Sequence, residues 1–289
     1  MKSLDIAFLR ALLAIADHGT VARAAQLVAR TPAAVSQQMQ RLEATLGRPL
    51  FLRRGTRLQL TAAGEQLVRH ARQLVALNDR AIAEITGEPA AEQVRFGMPQ
   101  DFAETVLVEA LRDFRSTHPA VGVEAVVDRN SVLAGLLQAG RLDLAISIGL
   151  TRPDAASLVA RVESRWIGAR GFQLPVAAPV PLVVLEEPCV FRRFAMDALD
   201  HAGIAWRIAF SSPSVSGMWS AVVAGMGIAA RMVEAAPPNC VALRTTPALP
   251  RLPAVTIALR RAASPAHGEA VDGLEQVVRA SLGRLFQAG

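Results

Sequence analysis

Apolar side chains recur at helical spacing through the first sixty positions. Leu4, Phe8, Leu12 and Ile15 stand at i, i+4, i+8 and i+11, which predicts an amphipathic helix. Gly19 is a helix stop, and Thr20 caps a short second helix over Val21–Ala29 with Ala24, Ala25 and Leu27 facing inward. Thr31-Pro32 is a strong start signal, because threonine satisfies orphan N–H groups and proline suits the first helical position. The third helix runs from about Pro32 to Leu46, where Gly47 stops it, and buries Val35, Met39, Leu42 and Leu46. Leu50-Phe51-Leu52 and Leu58-Gln59-Leu60 then flank RRGTR, which reads as two short strands around a glycine turn.

A longer helix begins at a Thr61 cap and continues to about Thr86, with Gly87 and Pro89 ending it. Leu67, Leu74 and Ala81 repeat at seven residues, and Ala71, Asn78 and Ile85 form a companion seam offset by four. At about 1.5 Å per residue this helix spans roughly 38 Å. So long and narrow a stripe on one linking helix asks for a partner helix, the alternative being packing on its own domain. Asn78 on the seam could fix register.

From about Glu92 the pattern changes. Short β-branched runs at Val94–Gly97, Val121–Val127 and Leu144–Ile148 alternate with helical stretches at about Phe102–Thr117 and Ser131–Ala139. A second series comprises Leu182–Leu185, a helix near Phe191–Ala202, Trp206–Phe210, a helix near Ser216–Met226, and Gly227–Ala230. Val255–Leu259 and a helix over about Glu269–Phe286 close the chain. Alternation of this kind predicts parallel α/β units. They divide into two lobes, one of about 92–162 and 266–289 and one of about 163–265. Two crossings between lobes make a hinge and a cleft, as in periplasmic binding proteins. The expected architecture is therefore an N-terminal, mostly α winged helix-turn-helix over 1–60, a linker or dimerisation helix over 61–88, and a two-lobed α/β, periplasmic-binding-protein-like effector domain over 92–289.

Composition narrows the classes. The chain has 289 residues, of which 52% are hydrophobic and 19% charged, enough apolar content to exclude a mainly disordered chain. Its two cysteines exclude a disulfide-stapled scaffold, and Cys189 and Cys240 lie too far apart for a zinc motif. The first residues, MKSLDIAFLR, lack the apolar run of a signal peptide. The longest uncharged run, Ile208 to Ala230, covers 23 residues, a membrane-spanning length, but its serines and proline favour a strand, a loop and a helix. A cytoplasmic protein without membrane contact is the expectation. Charge is unevenly spread. Residues 1–60 carry nine basic and three acidic side chains, which is the whole net charge of +6, while the rest carries 22 of each sign. Such asymmetry points to a polyanion-binding module joined to a neutral body.

The residue types agree. Two helices joined by a tight turn, the second polar on its N-terminal face, describe a helix-turn-helix whose second helix enters the major groove. Ser36, Gln37, Gln38 and Arg41 lie mostly outside the buried stripe, where serine and glutamine can bond to base edges. Small Ala33 and Ala34 let the helix approach a thymine methyl, and Thr31 and Pro32 at the helix start are counted with the DNA-binding residues. Arg53, Arg54 and Arg57 on the hairpin, or wing, reach phosphates or the minor groove. The alternative is a three-helix bundle with a hairpin of no consequence.

The stretch GTVARAAQLVARTPAAVSQQMQRLEATLGRPLFLRRGTRLQLTAAGEQL resembles the N-terminal signature of LysR-type transcriptional regulators, through RAA, AAVSQQ, RLE, LG.PLF, the basic wing and LTAAGE. The resemblance implies a winged helix-turn-helix with Ala33, Ser36 and Gln37 at base-contacting positions. It further implies pairing through the linker helix, assembly into a homodimer or homotetramer, and a C-terminal effector domain of the two-lobed kind. AGIAWRIAFSSPSVSGMWSAVVAGMGI additionally resembles the LrhA-like branch. One departure is Gln37, where the family often has arginine; glutamine favours adenine over guanine.

Ligands of open α/β folds bind beyond the carboxyl ends of strands, at helix N-termini. That rule nominates Gln100 and Asp101, Asn130 and Ser131, Ser147, Cys189 with Arg192, and Ser212, Ser214 and Ser216. Hydroxyls, free N–H groups and Arg192 suit an anion, whereas Asp101 favours an amine; serine and asparagine at such places also cap helices. Gly225–Ala230 matches G-x-G-x-x-A, but at the end of a helix instead of its start, so no dinucleotide is expected. The histidines at 18, 70, 118, 201 and 267 are scattered, with no metal spacing. No cofactor, metal or catalytic group is expected. The partners are double-stranded promoter DNA, a small-molecule effector and a second copy of the chain. Two other classes are an enzyme on a two-lobed scaffold, which needs a nucleophile–base pair, and an architectural DNA-binding protein whose lobes only oligomerise.

Overall fold

A computed structural model of the protein describes residues 3–54, 57–86, 93–149, 157–174, 178–244, 248–262 and 268–287. The first helix, α1 (Ile6–His18), is capped by Asp5, whose carboxylate accepts from the Ala7 N–H. α2 (Val21–Leu27) and α3 (Pro32–Leu46) start at Thr20 and Thr31, whose hydroxyls accept from Arg23 and Ala34 N–H groups. Gly47 ends α3 at φ 70°, a left-handed conformation that costs glycine little. Leu9, Leu12, Ile15, Ala24, Ala25, Val35, Met39 and Leu42 fill one core. Two details of this region depart from expectation. α2 stops at Leu27 and Ala29 turns left-handed at φ 50°, so the helix is shorter than Val21–Ala29. Leu27 is exposed, and the half-buried Val28 takes the inward place instead.

β1 (Phe51–Arg54) and β2 (Arg57–Leu60) pair antiparallel, Arg54 opposite Arg57. The hairpin is tied back twice: Glu43 of α3 accepts from the Leu50 N–H at 2.7 Å, and the Gly19 carbonyl accepts from the Leu58 N–H at 3.0 Å. Its glycine turn, Gly55, lies outside the described residues, as do Gly87 and Pro89. α4 (Ala62–Thr86) begins at Thr61, whose hydroxyl accepts from the Gly64 N–H. Its first half packs on α1 and buries Leu67, Val68, Ala71 and Val75 in the same core. Leu67 and Ala71 therefore belong to their own domain and not to an open seam. Beyond the reach of α1 the stripe is uncovered: Leu74, Leu77, Ala81, Ile82 and Ile85 are exposed. Asn78 is half-buried and donates to neighbouring Asp79.

The body opens with β3 (Gln93–Met98), α5 (Val106–Thr117), β4 (Gly122–Val127), α6 (Asn130–Gln138) and β5 (Leu144–Gly149). β6 (Leu158–Glu163) is followed, after Ser164 alone, by β7 (Arg165–Ala169). Then come β8 (Val180–Leu185), α7 (Val190–His201), β9 (Trp206–Ser212), α8 (Val215–Val223), β10 (Ala229–Arg231) and β11 (Cys240–Ala242). β12 (Ala254–Arg261) and α9 (Gly268–Gln287) complete the chain. Lobe one is a sheet ordered β4-β3-β5-β12-β6, in which β4, β3 and β5 run parallel and β12 antiparallel to its neighbours. Lobe two joins the parallel pair β8-β9 to the antiparallel set β10-β7-β11 through a bridge between Leu182 and Ile228. The lobe boundary at 265 is thus corrected. β12 pairs with β5 and β6, so the chain has returned to lobe one by Ala254. β6, β7 and β11 were not foreseen, having too little β-branched contrast with their surroundings.

Strands and the helices packed on them share a continuous core that includes Phe96, Phe102, Phe114, Ile146, Phe191, Ile228, Val255 and Leu274. α9 lies along α5 and β6, with Phe286 edge-on to Phe102 at 6.3 Å. A buried ion pair pins the centre of lobe one: Asp143, 1% exposed, takes the Arg95 guanidinium at 2.6 and 3.0 Å and the Arg95 N–H at 2.9 Å. Lobe one also meets the N-terminal module, where Asp17 of α1 holds Arg72 of α4 at 2.6 Å and reaches Arg141 at 3.5 Å. Among the described residues no helix is long and apolar enough to cross a membrane; the uncharged run Ile208 to Ala230 is divided among β9, α8 and β10.

Candidate nucleic-acid interface and ligand cleft

α3 turns one face into the core through Val35, Met39 and Leu42, and periodicity turns the other outward. Thr31, Pro32, Ala33, Ser36, Gln37, Gln40 and Arg41 are all exposed on that outer face. Gln38 sits at its edge, half-buried, with Oε1 buried and without a partner. The face holds hydroxyl and amide groups that donate and accept, small side chains that leave room, and one guanidinium. Arg30, Arg41 and Arg48 are exposed around it and form no salt bridge among the described residues. Arg53, Arg54 and Arg57 lie on the β1–β2 hairpin by backbone position. A convex polar face of helical width, ringed by uncompensated positive charge, matches the width and charge of a DNA major groove.

The second site lies between the lobes, where a cavity of about 590 Å³ opens, within the range of small-molecule pockets. It is built at strand ends. Gln100 and Asp101 follow β3 in a single 3-10 turn, Asn130 and Ser131 open α6, and Cys189 and Arg192 open α7; all six line the cavity. Their freedom differs. Gln100 Oε1 accepts from the Val215 N–H at the start of α8, at 2.8 Å, so it joins the lobes. Both ends of the Asn130 amide are engaged by the backbone of Ile148. Arg192 donates to the Leu185 carbonyl at 3.3 Å and lies 3.6 Å from Glu187. Ser131 is exposed at the rim.

Four nominated serines are not in this cavity, among them Ser216, whose hydroxyl meets that of Ser214 at 2.7 Å in the first turn of α8. Ser147 points to the other side of β5, where its hydroxyl accepts from Arg260 Nε at 3.2 Å beside the linker helix. Alternation along a strand explains it: Ile148, one residue on, faces the cleft. Ser212 is buried and accepts from the Ser214 N–H, and Ser214 caps α8 by accepting from the Gly217 N–H. Those two build the turn, and Pro213 and Val215 line the cavity in their stead.

The residue that sequence reasoning missed is Arg231. It ends β10 at the floor of the cleft, and its Nη1 donates to Asp101 Oδ1 at 3.0 Å across the lobe junction, with the two side chains 3% and 6% exposed. Its guanidinium lies over the Phe191 ring, 4.8 Å from the centroid. Among the described residues its Nη2 meets only sulfur, Met218 Sδ at 3.7 Å and Cys189 Sγ at 4.0 Å. A signal existed, for an arginine between Ala229, Ala230 and Met232 sits where the pattern demands burial, and arginine is buried only when paired. A third lobe-to-lobe contact, at the rim, joins Arg129 to the Glu187 carbonyl at 3.0 Å.

Comparison with known proteins covers both segments of the chain. Residues 6–65 match the model of the bacterial regulatory helix-turn-helix protein, lysR family, and residues 87–280 match the LysR substrate binding domain. The chain is 36% identical over 251 residues to the HTH-type transcriptional regulator PecT of Dickeya dadantii, covering 87% of this chain and 79% of PecT. It is 36% identical over 262 residues to the HTH-type transcriptional regulator DgdR of Burkholderia cepacia, covering 90% and 88%. In fold it is similar to full-length LysG of Corynebacterium glutamicum, solved with the effector Arg bound, at a TM-score of 0.69 and 21% identity over 96% of this chain and 98% of LysG. With both segments matched and relatives aligned over most of their length, the chain belongs to the LysR family of bacterial helix-turn-helix regulators.

Proposed function

We propose that this protein regulates transcription by binding promoter DNA through α3 and the β1–β2 hairpin, and that a small molecule in the inter-lobe cleft changes that binding. The observation that carries the reading is the outer face of α3, where Ala33, Ser36, Gln37 and Arg41 stand exposed together on a helix anchored by its opposite face. Residues 1–60 are the reading head, 61–88 the linker and the rest the sensing body. Two copies pair along the uncovered half of α4, Leu74 to Ile85, so that two heads meet two half-sites of one operator. An effector that prefers one arrangement of the lobes shifts the population toward it and moves the heads on DNA.

The protein acts in the cytoplasm, where its DNA is, and not as an enzyme. The polar groups of the cleft support that last point: Gln100 and Asn130 hold backbone and Asp101 holds Arg231, so each has a structural task. A mobility-shift titration on DNA upstream of the neighbouring genes tests the reading. Affinity should fall with salt at a slope of roughly −0.9 per phosphate contact, and Ser36→Ala with Gln37→Ala should erase sequence preference while leaving the salt slope. Binding that ignores both salt and these substitutions would sink it.

A further inference from the structure

We infer that the cleft takes a zwitterion of the α-amino acid kind, its carboxylate on Arg231 and its ammonium on Asp101. The inference rests on the reading of the cleft as an effector site and adds the chemical class of the effector.

The argument starts from the unspent valence of Arg231. A guanidinium has five N–H donors. Here it is 3% exposed, and among the described residues its side chain has one oxygen partner, Asp101, at 3.0 Å and two sulfur atoms as further contacts. Sulfur is a weak acceptor, so the Nη2 edge lacks the acceptor that a buried cation requires. A ligand carboxylate is the group whose two oxygens match that fork.

The partner then decides the rest. Asp101 and Arg231 come from opposite lobes, and both line the cavity. A ligand that draws Arg231 toward itself with an anion alone loosens a buried carboxylate and leaves it without a cation, which is costly in a dry site. A cation alone on Asp101 strands Arg231 in the same way. A carboxylate on the Nη2 edge sets a second anion beside Asp101 on one guanidinium, and a molecule that also carries an ammonium, a few ångströms from its carboxylate, compensates Asp101 and relieves that repulsion. The remaining wall suits a side chain: Ile148, Val190, Phe191, Met196 and Val215 are apolar. Because each lobe holds one charge of the pair, such a ligand reports directly on lobe closure.

The test is calorimetric titration of the full-length protein with the twenty standard α-amino acids, followed for each binder by the matched acid without the amine and the matched amine without the carboxylate; for leucine these are 4-methylpentanoate and 3-methylbutylamine. We expect at least one amino acid to bind saturably, and both truncated partners to bind at least tenfold more weakly. Asp101→Asn should bring the amino acid down to the affinity of its acid, and Arg231→Gln to that of its amine. Should either variant fail to fold, the matched series on the unaltered protein decides alone. An acid or an amine that binds as tightly as the amino acid overturns the zwitterion and leaves the cleft as effector site; so does a set of twenty amino acids of which none binds. The cleft reading fails separately if a maleimide adduct on Cys189, which lines the cavity, leaves DNA affinity unchanged.

Discussion

The side-chain amide of Asn130 clamps the backbone of Ile148 at two points: Nδ2 donates to the Ile148 carbonyl at 2.7 Å, and Oδ1 accepts from the Ile148 N–H at 3.0 Å. The amide thereby stands in for a strand partner at the end of β5 and fixes the start of α6 against it. Asn130→Ala removes both bonds and leaves two backbone groups unpaired, each worth about 1–3 kcal/mol where it is shielded from water. Urea unfolding should register a loss of about 2–4 kcal/mol. An unchanged midpoint accompanied by lost ligand binding would instead make Asn130 a ligand contact.

That clamp also marks how far the sequence could be read. The N-terminal module was legible because its signals are local: Thr20, Thr31-Pro32 and Gly47 act on the next few residues, and those caps form. The cleft was legible only to the level of strand ends. Which of its polar groups are free depends on partners far along the chain, since Gln100 meets Val215, Asp101 meets Arg231 and Asn130 meets Ile148. The return of β12 to lobe one is likewise a matter of long-range pairing, to which its own run of Val255–Leu259 gives no clue. On α4, periodicity found the stripe but could not say that α1 covers its first half.

Gly64 has no room for a side chain. It lies in the first turn of α4 under the hairpin, where a Cβ would overlap the Leu50 carbonyl and crowd the Leu60 side chain. Gly64→Ala must push α4 away from the hairpin, at a cost typical of overpacking, about 1–3 kcal/mol. Thermal melting by circular dichroism should show the loss, and DNA affinity should fall with it because the hairpin and α3 share this support. A variant with unaltered melting and binding would mean that the junction yields freely.

The two halves of α4 should respond oppositely to substitution. Leu77 and Ile82 are 57% and 53% exposed, so Leu77→Glu with Ile82→Glu should leave the chain folded but lower its mass in sedimentation to that of one copy. Leu67, 8% exposed, belongs to the core, and Leu67→Ala should cost about 2–5 kcal/mol of stability. If the double glutamate variant sediments like the unaltered protein, the uncovered stripe is not the place where copies pair.

Gln37 stands exposed on the outer face of α3, beside Ser36 and Arg41. A glutamine amide matches the donor–acceptor pair of adenine, and a guanidinium matches the two acceptors of guanine. Gln37→Arg should therefore change the preferred base pair at one position of each half-site, by about 1–3 kcal/mol of discrimination. Selection of bound sequences from randomised DNA reads this directly. An identical consensus from both proteins would remove Gln37 from the set of base-reading residues.

The two cysteines should part company at alkaline pH. Cys240 is buried behind β7 and α8, and burial pushes its thiol above the ordinary value, because the thiolate has no water to stabilise it. In the unfolded chain the same thiol ionises near pH 8.5. Above that pH the unfolded state releases a proton that the folded state retains, so stability declines as pH rises and levels off only past the folded value. Little else interferes, because the chain has no tyrosine and Lys2 is its sole lysine. Denaturant midpoints should hold between pH 7 and 8, fall from about pH 8.5, and lose that fall in Cys240→Ala. Iodoacetamide should meanwhile label the half-buried Cys189 first, with Cys240 reacting only when the chain opens. Equal labelling rates would show that this thiol is open to solvent, and a pH slope that survives Cys240→Ala would assign the slope to another group.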